Sequence, residues 1–347
     1  MTNKTFTSVQ ELGFTKLVDR IQDQSSYKHP SVKKGIGDDA SVQHLGNGQV
    51  ICTTSEIFLE GVHFDLTYTP FHHLGYKVVT AAVSDLYAMN AAPVQLLIDI
   101  AVPNRCSVEM IEEFYRGVHK ACNDYQVMLS GGDSTASHQL LAISVTAIGE
   151  AAEEDVVYRS GAKEGQVICI TGDLGAAIAG LRILLREKQH WKESGENHFH
   201  PDLADYEYVV QRQLVPKLQT AFSDALRQAG VLPGAMADVT QGLVHELHSI
   251  ARQSQVGIEL YSPAVPIALE TRRVADEMQE DVDKYAFYGG EDFELLFTID
   301  EADVEKLKAE FEDFVVVGNI KTGEKTFTIR TGEDKTIEFD LTETIKP

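Results

Sequence analysis

Acidic residues recur in glycine- or serine-containing turns along this 347-residue chain. They are Asp38 and Asp39 in GIGDDA, Glu56 in TTSEIF, Asp85 in VSDLYAMN, Asp133 in SGGDST, Asp238 in ADVTQG, and Glu291 with Asp292 in YGGEDFEL. Most adjoin apolar stretches, which places them at strand or helix ends. Carboxylates gathered at such ends repel one another unless a cation lies between them. Mg2+ suits that need, because it takes hard oxygen ligands in an octahedral shell and is commonly shared with substrate phosphates. Taken singly, each acid reads as a solvated turn residue or a helix cap. As a set, with glycines recurring beside them, they point to a joint role.

Basic residues near these turns are few. Arg159, in VYRSGAKEG, is the best candidate for a phosphate contact, since a guanidinium makes paired hydrogen bonds to phosphate oxygens. Read alone it is a surface ion-pair residue. His63, in EGVHFD beside Gly61, reads alone as a core or surface histidine. The TGDLG turn, Thr171 to Gly175, either offers backbone N–H groups to an anion or is a tight turn that packs a helix.

Competing motifs fail. GIGDDA formally matches G-x-G-x-x-A, but the stretch before it, YKHPSVKK, is polar and proline-broken where a dinucleotide fold needs a strand. Two adjacent carboxylates would also oppose a pyrophosphate without a metal between. No G-x-x-x-x-G-K-[ST] loop, no protein-kinase H-R-D and D-F-G set and no G-x-S-x-G elbow is present. The cysteines, Cys52, Cys106, Cys122 and Cys169, form no C-x-x-C pair. Cys52 and Cys169 sit among strand-like apolar residues and read as small buried side chains.

The elements that must position these residues alternate. Strands are expected at Gln49 to Thr53, Gln95 to Val102, Val127 to Leu129 and Leu140 to Ile148. A helix is expected from Ser107 to Tyr125, capped by Ser107, with Ile111, Phe114, Tyr115, Val118, Cys122 and Tyr125 on one stripe. The polar stretch Gly149 to Gly165 is the best domain boundary. Beyond it, a strand at Gln166 to Ile170 leads through TGDLG into a helix from Ala176 to Arg186. Lys188 to Asp205 is expected to be a long loop or lid. A turn and helix over 237–253 carry Leu243, Leu247 and Ile250. Further strands are expected at Val256 to Tyr261, Asp292 to Ile299 and Phe314 to Val317. The fold class is mixed α/β with two domains, 1–150 and 151–347.

Composition sets the partners. With 53 acids against 30 bases the net charge is −23, which argues against a broad basic surface for nucleic acid. Such a chain meets phosphates through cations. The apolar run Val78 to Val83 is far short of a membrane span, and the first residues show no signal-peptide core. A reducing, cytoplasmic setting is expected.

In this order, GIGDDA, EGVHF, VSDLYAMNAAP, GGDST, YRSGAK, TGDLGAAIAGL, ADVTQGL and GGEDFELLF resemble the thiamine-monophosphate kinase family, part of the aminoimidazole ribonucleotide synthetase superfamily of ATP-using enzymes. The resemblance runs from about Phe14 to Phe297. It implies an N-terminal α/β domain that pairs with its twin across a barrel-like homodimer interface, followed by a C-terminal α/β domain. It implies direct transfer of the ATP γ-phosphoryl group to thiamine monophosphate, with several Mg2+ ions between the triphosphate and the acids. Carried over by motif, the metal ligands are Asp39, Thr54, Ser55, Glu56, Asp85, Asp133, Asp238 and Gln241. ATP contacts are Gly132, Asp133, Arg159 and Thr240, and thiamine-phosphate contacts are His63 and Glu291.

This chain departs from the family pattern at Glu56, where Asp is usual, and at Thr240-Gln241, where Ser-Asp is usual. Family members often end in an aromatic-rich segment that covers the thiamine rings, whereas this chain ends FDLTETIKP, with no aromatic after Phe339. Those departures motivate a second expectation, a non-catalytic or altered-specificity paralogue that binds nucleotide or thiamine phosphate.

Overall fold

The structure, a computed structural model, describes residues 7–195, 197–321, 326–332 and 335–340. Its strands form two mixed sheets. The first contains β1 (Val32–Lys34), β2 (Ser41–Gly46), β3 (Gln49–Leu59), β4 (Ala92–Pro103), β5 (Met128–Gly131), β6 (Ser134–Ser137) and β7 (Ala142–Ala152). Their order is β1-β2-β3-β7-β4-β5, with β6 also on β4. The second contains β8 (Gln166–Thr171), β9 (Ala235–Asp238), β10 (Gly257–Tyr261), β11 (Leu295–Asp300), β12 (Phe314–Lys321), β13 (Thr326–Arg330) and β14 (Thr336–Asp340). Their order is β14-β13-β10-β12-β8-β11-β9.

The centre of the first sheet is the antiparallel trio β3-β7-β4, with Ile57 opposite Ser144 and Ser144 opposite Asp99. Alternation of apolar and polar residues explains it: Ile143, Val145 and Ala147 of β7 are buried, while Ser144 and Thr146 point the other way. The buried face is covered by the Phe71–Ala88 helix, whose Val78, Val79, Val83 and Leu86 pack with Leu96, Ile98 and Ile143 in one core. Each such side chain contributes about 1.5–3 kcal/mol when fully buried. This helix crosses the Val108–Asp124 helix at two glycines. A Cβ on Gly75 would lie 1.9 Å from Phe114 O, and one on Gly117 would lie 1.8 Å from His72 O, so the backbones touch directly. The second core gathers Ile168 and Ile170 with Leu243, Leu247 and Ile250 of the Leu243–Ser254 helix.

Several expectations hold with shifted ends. The Val108–Asp124 helix is capped by Ser107, which accepts from Met110 N, and it buries Phe114, Val118 and Cys122. Four expectations need correction. β3 runs on to Leu59, beyond Thr53, because its alternation continues. β7 extends through Gly149 to Ala152, into the stretch expected to be a linker. The helix that begins at Ala176 continues to Ser194 and stops at Gly195, whose φ of 71° ends it, so the expected loop at Lys188 starts late. β11 begins at Leu295 rather than Asp292. The Asp292 carboxylate instead accepts the Gly175 and Ala177 N–H groups at the start of the Ala176–Ser194 helix (2.8 and 3.2 Å). The stretch before GIGDDA, expected to hold no strand, does form the short β1, but β2 and not a helix follows the motif, so the dinucleotide reading still fails.

Among the described residues no helix is long and apolar enough to cross a membrane. Phe339 stacks on Phe327, with ring centroids 5.1 Å apart, and so packs beside the second core. The final segment, residues 341–347, lies outside the described residues.

Candidate active site

Three of the sequence acids converge from different elements. Asp39 lies in the turn before β2, Asp85 in the last turns of the Phe71–Ala88 helix, and Asp238 at the end of β9. One oxygen from each lies within 4.8 Å of the others, and all three residues are buried. Burial pushes the Asp39 carboxyl up to about 6, against the pull of Arg159. Burial, and then mutual repulsion, also raises Asp85 and Asp238 well above the usual carboxylate range. Ser84 donates to Asp238 Oδ2, and Thr54 Oγ1 donates to Asp85 Oδ2 (2.5 Å). Asp39 Oδ2 and Asp238 Oδ1 are buried and receive no hydrogen bond. Hard oxygen donors with orphaned atoms, packed this closely, fit a divalent cation such as Mg2+.

The neighbouring turn acid has a different part. Asp38 pairs with Lys34 Nζ (2.9 Å) and accepts from the Arg159 N–H (3.1 Å), so it pins the YRSGAK segment in place. The Arg159 guanidinium then reaches Asp39, with Nε 2.9 Å from Oδ1, and lies 3.1 Å from Glu246 Oε2. Glu246 is fully buried. Burial works to raise its carboxyl, but Arg159 wins and holds it below the usual range. Its Oε1 accepts the Gln241 N–H (3.2 Å), which ties the turn after Asp238 to the arginine. A cavity of about 1030 Å³ opens over this group. Its lining includes Asp39, Glu56, Asp85, Arg159, Thr240 and Gln241.

Strand alternation divides the Thr54-Ser55-Glu56 segment. Thr54 is buried beside Asp85, and Glu56 lines the cavity and hydrogen-bonds toward Asp85, its carboxyl raised by burial. Ser55 is exposed on the opposite face, where it accepts from Thr146 Oγ1 (3.4 Å), so its side chain does not join the acids.

Gly132 and Asp133 also stand apart. They follow β5, and the Asp133 N–H donates to Asp99 Oδ1 (2.7 Å). Asp133 lines a separate groove of about 310 Å³ with Ile57, Asp99 and Ser144 on the exposed face of the first sheet. Gly132 has a φ of 143°, and a Cβ there would lie 1.8 Å from Ile98 O, so no other residue fits this bend.

His63 sits in the turn after β3 and accepts the Leu59 N–H (3.0 Å). The same segment continues to Asp65, which pairs with Lys188, and to Tyr68. Burial first, then the charges of Asp65 and Glu291, push the Tyr68 phenol up to about 12, which puts this segment close to Glu291. Glu291 itself has a φ of 58°, and its N–H donates to Thr240 O (3.0 Å). The structure thus brings Asp39, Thr54, Glu56, Asp85, Arg159, Asp238, Thr240 and Gln241 to one place, with Glu291 bonded to its rim.

Sequence reasoning missed Glu246, Ser84 and Lys77. Glu246 lies on the stripe of Leu243, Leu247 and Ile250, and an acid on an apolar stripe was the available signal. Lys77, a lone base entering the run Val78 to Val83, was the same kind of signal.

Comparison with known proteins agrees with this geometry. Residues 37–151 match the AIR synthase related protein N-terminal domain, and residues 163–330 match the corresponding C-terminal domain. The thiamine-monophosphate kinase of Bacillus subtilis (strain 168) is 32% identical over 284 residues, 81% of this chain and 82% of the relative. That of Aquifex aeolicus (strain VF5) is 32% identical over 319 residues, 92% of this chain and 95% of the relative. A solved structure described as "AaThiL complexed with AMPPCP and TMP" superposes with a TM-score of 0.79 at 27% identity, covering 96% of this chain and 99% of the other. With both domains matched in order and the buried acids falling inside them, the chain belongs to the thiamine-monophosphate kinase family of AIR synthase related proteins.

Proposed function

We propose that this protein transfers the γ-phosphoryl group of ATP to thiamine monophosphate, giving thiamine diphosphate. The observation that carries the reading is the convergence of Asp39, Asp85 and Asp238 beneath a cavity that also holds Arg159, in a chain of this family. Relatives matched over most of the chain bear the kinase name, which favours catalysis over a binding-only paralogue.

Mg2+ would be held by Asp39, Asp85 and Asp238, with Thr54, Glu56 and Gln241 beside them. When bound, it neutralises phosphate charge and orients the transferring group. The protein's own share is positioning. Asp38 and Glu246 fix Arg159 so that its guanidinium can meet phosphate oxygens. The Thr240 hydroxyl and the turn after Asp238 face the same cavity. His63 and Glu291 hold the thiamine phosphate.

Gly132 and Asp133, on the exposed sheet face, complete the nucleotide site once a second copy covers that face. Ile57, Leu97 and Met128 are 57%, 36% and 68% exposed there, apolar surface that a homodimer would hide. The division between the two domains, read from the sequence at 150/151, falls in the last residues of β7, which ends at Ala152.

The direct test incubates the protein with ATP, Mg2+ and thiamine monophosphate and looks for thiamine diphosphate by mass. Product that vanishes in Asp85→Asn supports the reading. No product, with ATP binding intact, would transfer the assignment to a binding paralogue.

A further inference from the structure

Lys77 is the base that the phosphoryl-transfer reading leaves without a task. It sits in the Phe71–Ala88 helix with only 5% of its side chain exposed. Burying an ammonium is costly unless its donors are met. Here all three are met. Lys77 Nζ lies 2.9 Å from Gln213 O and 2.9 Å from Glu291 Oε2. The Gln213 amide, oriented so that its nitrogen donates to Ala177 O (3.0 Å), places its oxygen 3.1 Å from the same ammonium.

Lys77 and these partners come from three separate elements: the Phe71–Ala88 helix, the Glu207–Leu214 helix and the turn before β11. An apolar side chain would fill such a junction at lower cost, so the charge is retained for what it does to its partner. That partner is strained. Glu291 holds a φ of 58°, a conformation that a glutamate rarely adopts, and is tied through its N–H to Thr240 O beside the acid cluster. Its side chain remains 32% exposed, so one edge stays accessible while Lys77 grips the other.

We propose that Lys77 is a positioning residue for the phosphoryl acceptor. It clamps Glu291 in the one orientation in which that residue can hold thiamine monophosphate. Lys77 acts only through Glu291. It contributes to acceptor recognition and not to nucleotide binding. The inference rests on the kinase reading above.

The test separates the two substrates. Lys77→Met, Lys77→Gln, Lys77→Arg, Glu291→Gln and the double variant Lys77→Gln/Glu291→Gln are compared with the unaltered protein. Steady-state kinetics are combined with calorimetric titration of thiamine monophosphate. Lys77→Gln can still donate to Gln213 O, so it provides the comparison should Lys77→Met fail to fold. The expected result for either is a KM and Kd for thiamine monophosphate raised about tenfold or more, with the ATP KM within twofold. Lys77→Arg returns most of the loss, and the double variant is no worse than Glu291→Gln alone.

The inference is overturned if Lys77→Gln leaves the acceptor KM within twofold, if it raises both KM values together, or if the double variant shows the product of the two single effects. An unaltered protein that neither binds nor phosphorylates thiamine monophosphate overturns the kinase reading and this inference with it. An active unaltered protein with an indifferent Lys77→Gln overturns this inference alone.

Discussion

Arg159 lies on Asp39, its Nε 2.9 Å from Oδ1, with the two side chains only 14% and 1% exposed. The guanidinium is thus a counter-charge within the acid cluster. Replacing it with methionine leaves Asp39 and Glu246 buried without their guanidinium counter-charge. Breaking a buried pair on one side costs about 3–5 kcal/mol. We expect Arg159→Met to lower the melting temperature and to weaken ATP binding at least tenfold, read by scanning fluorimetry and calorimetry. Unchanged ATP affinity would remove Arg159 from the nucleotide site.

The acid cluster also makes the metal-free protein sensitive to pH. The folded Asp39 carboxyl titrates near 6, above its unfolded value of 3.8, and Asp85 and Asp238 shift the same way. A carboxyl raised by folding holds its proton longer in the native state. Its contribution to stability is therefore present below pH 3.8 and is lost as pH rises through about 6. Melting curves in a chelator should fall across that window. Mg2+ should raise the melting temperature more at pH 8 than at pH 5, and an equal rise at both would contradict a cation among these acids.

Asp85 touches the other acids, Thr54 and the cavity at once. Its amide analogue keeps the shape and removes the charge. Asp85→Asn should reduce turnover by roughly a thousandfold, the scale of several kcal/mol of lost charge stabilisation. Titration should show that the Mg2+-dependent part of ATP binding has gone.

Gln241 offers a neutral oxygen at the cavity where a carboxylate would serve a hard cation better. Its backbone is already fixed by Glu246, so a carboxylate can be introduced without moving the turn. We expect Gln241→Asp to lower the Mg2+ concentration for half-maximal rate by about tenfold. An unchanged Mg2+ dependence would place the side chain outside the metal shell.

Ile57, Leu97 and Met128 share the exposed side of the first sheet. A charge placed there opposes any apolar pairing of two copies. On the proposed pairing, light scattering should find the unaltered protein at twice 38.3 kDa and Ile57→Glu at 38.3 kDa, and an unaltered protein of 38.3 kDa would overturn the pairing. If Gly132 and Asp133 work at that face, the substitution should also weaken ATP binding.

The legible part of this molecule was its punctuation. Acids in glycine- or serine-containing turns at GIGDDA, VSDLYAMN and ADVTQG marked the cluster, and β-branched runs marked β7 and β8. What escaped has physical causes. The Phe71–Ala88 helix is buried on nearly every side, so it shows no amphipathic period to read. Ser55 could be told from Thr54 and Glu56 only once β3 was known to continue through them, because strand alternation decides which side chains turn inward. Asp133 shares a motif type with Asp39 but not a cavity, and only the pairing of β5 and β6 with β4 reveals that. Glu246 and Lys77 are given meaning by partners distant in sequence, Arg159 and Glu291.

The Phe71–Ala88 helix carries Lys77 toward one end and Asp85 toward the other. At 1.5 Å per residue, the eight steps between them span about 12 Å along a rod held rigid by its glycine crossing. That rod is a gauge between the acceptor end and the metal end. One inserted residue would lengthen it by only about 1.5 Å but turn one end about 100° away from its partner. A change of length within this helix would therefore uncouple the two ends. A route to new acceptors lies in exchanging side chains around Glu291, leaving the metal end as it stands.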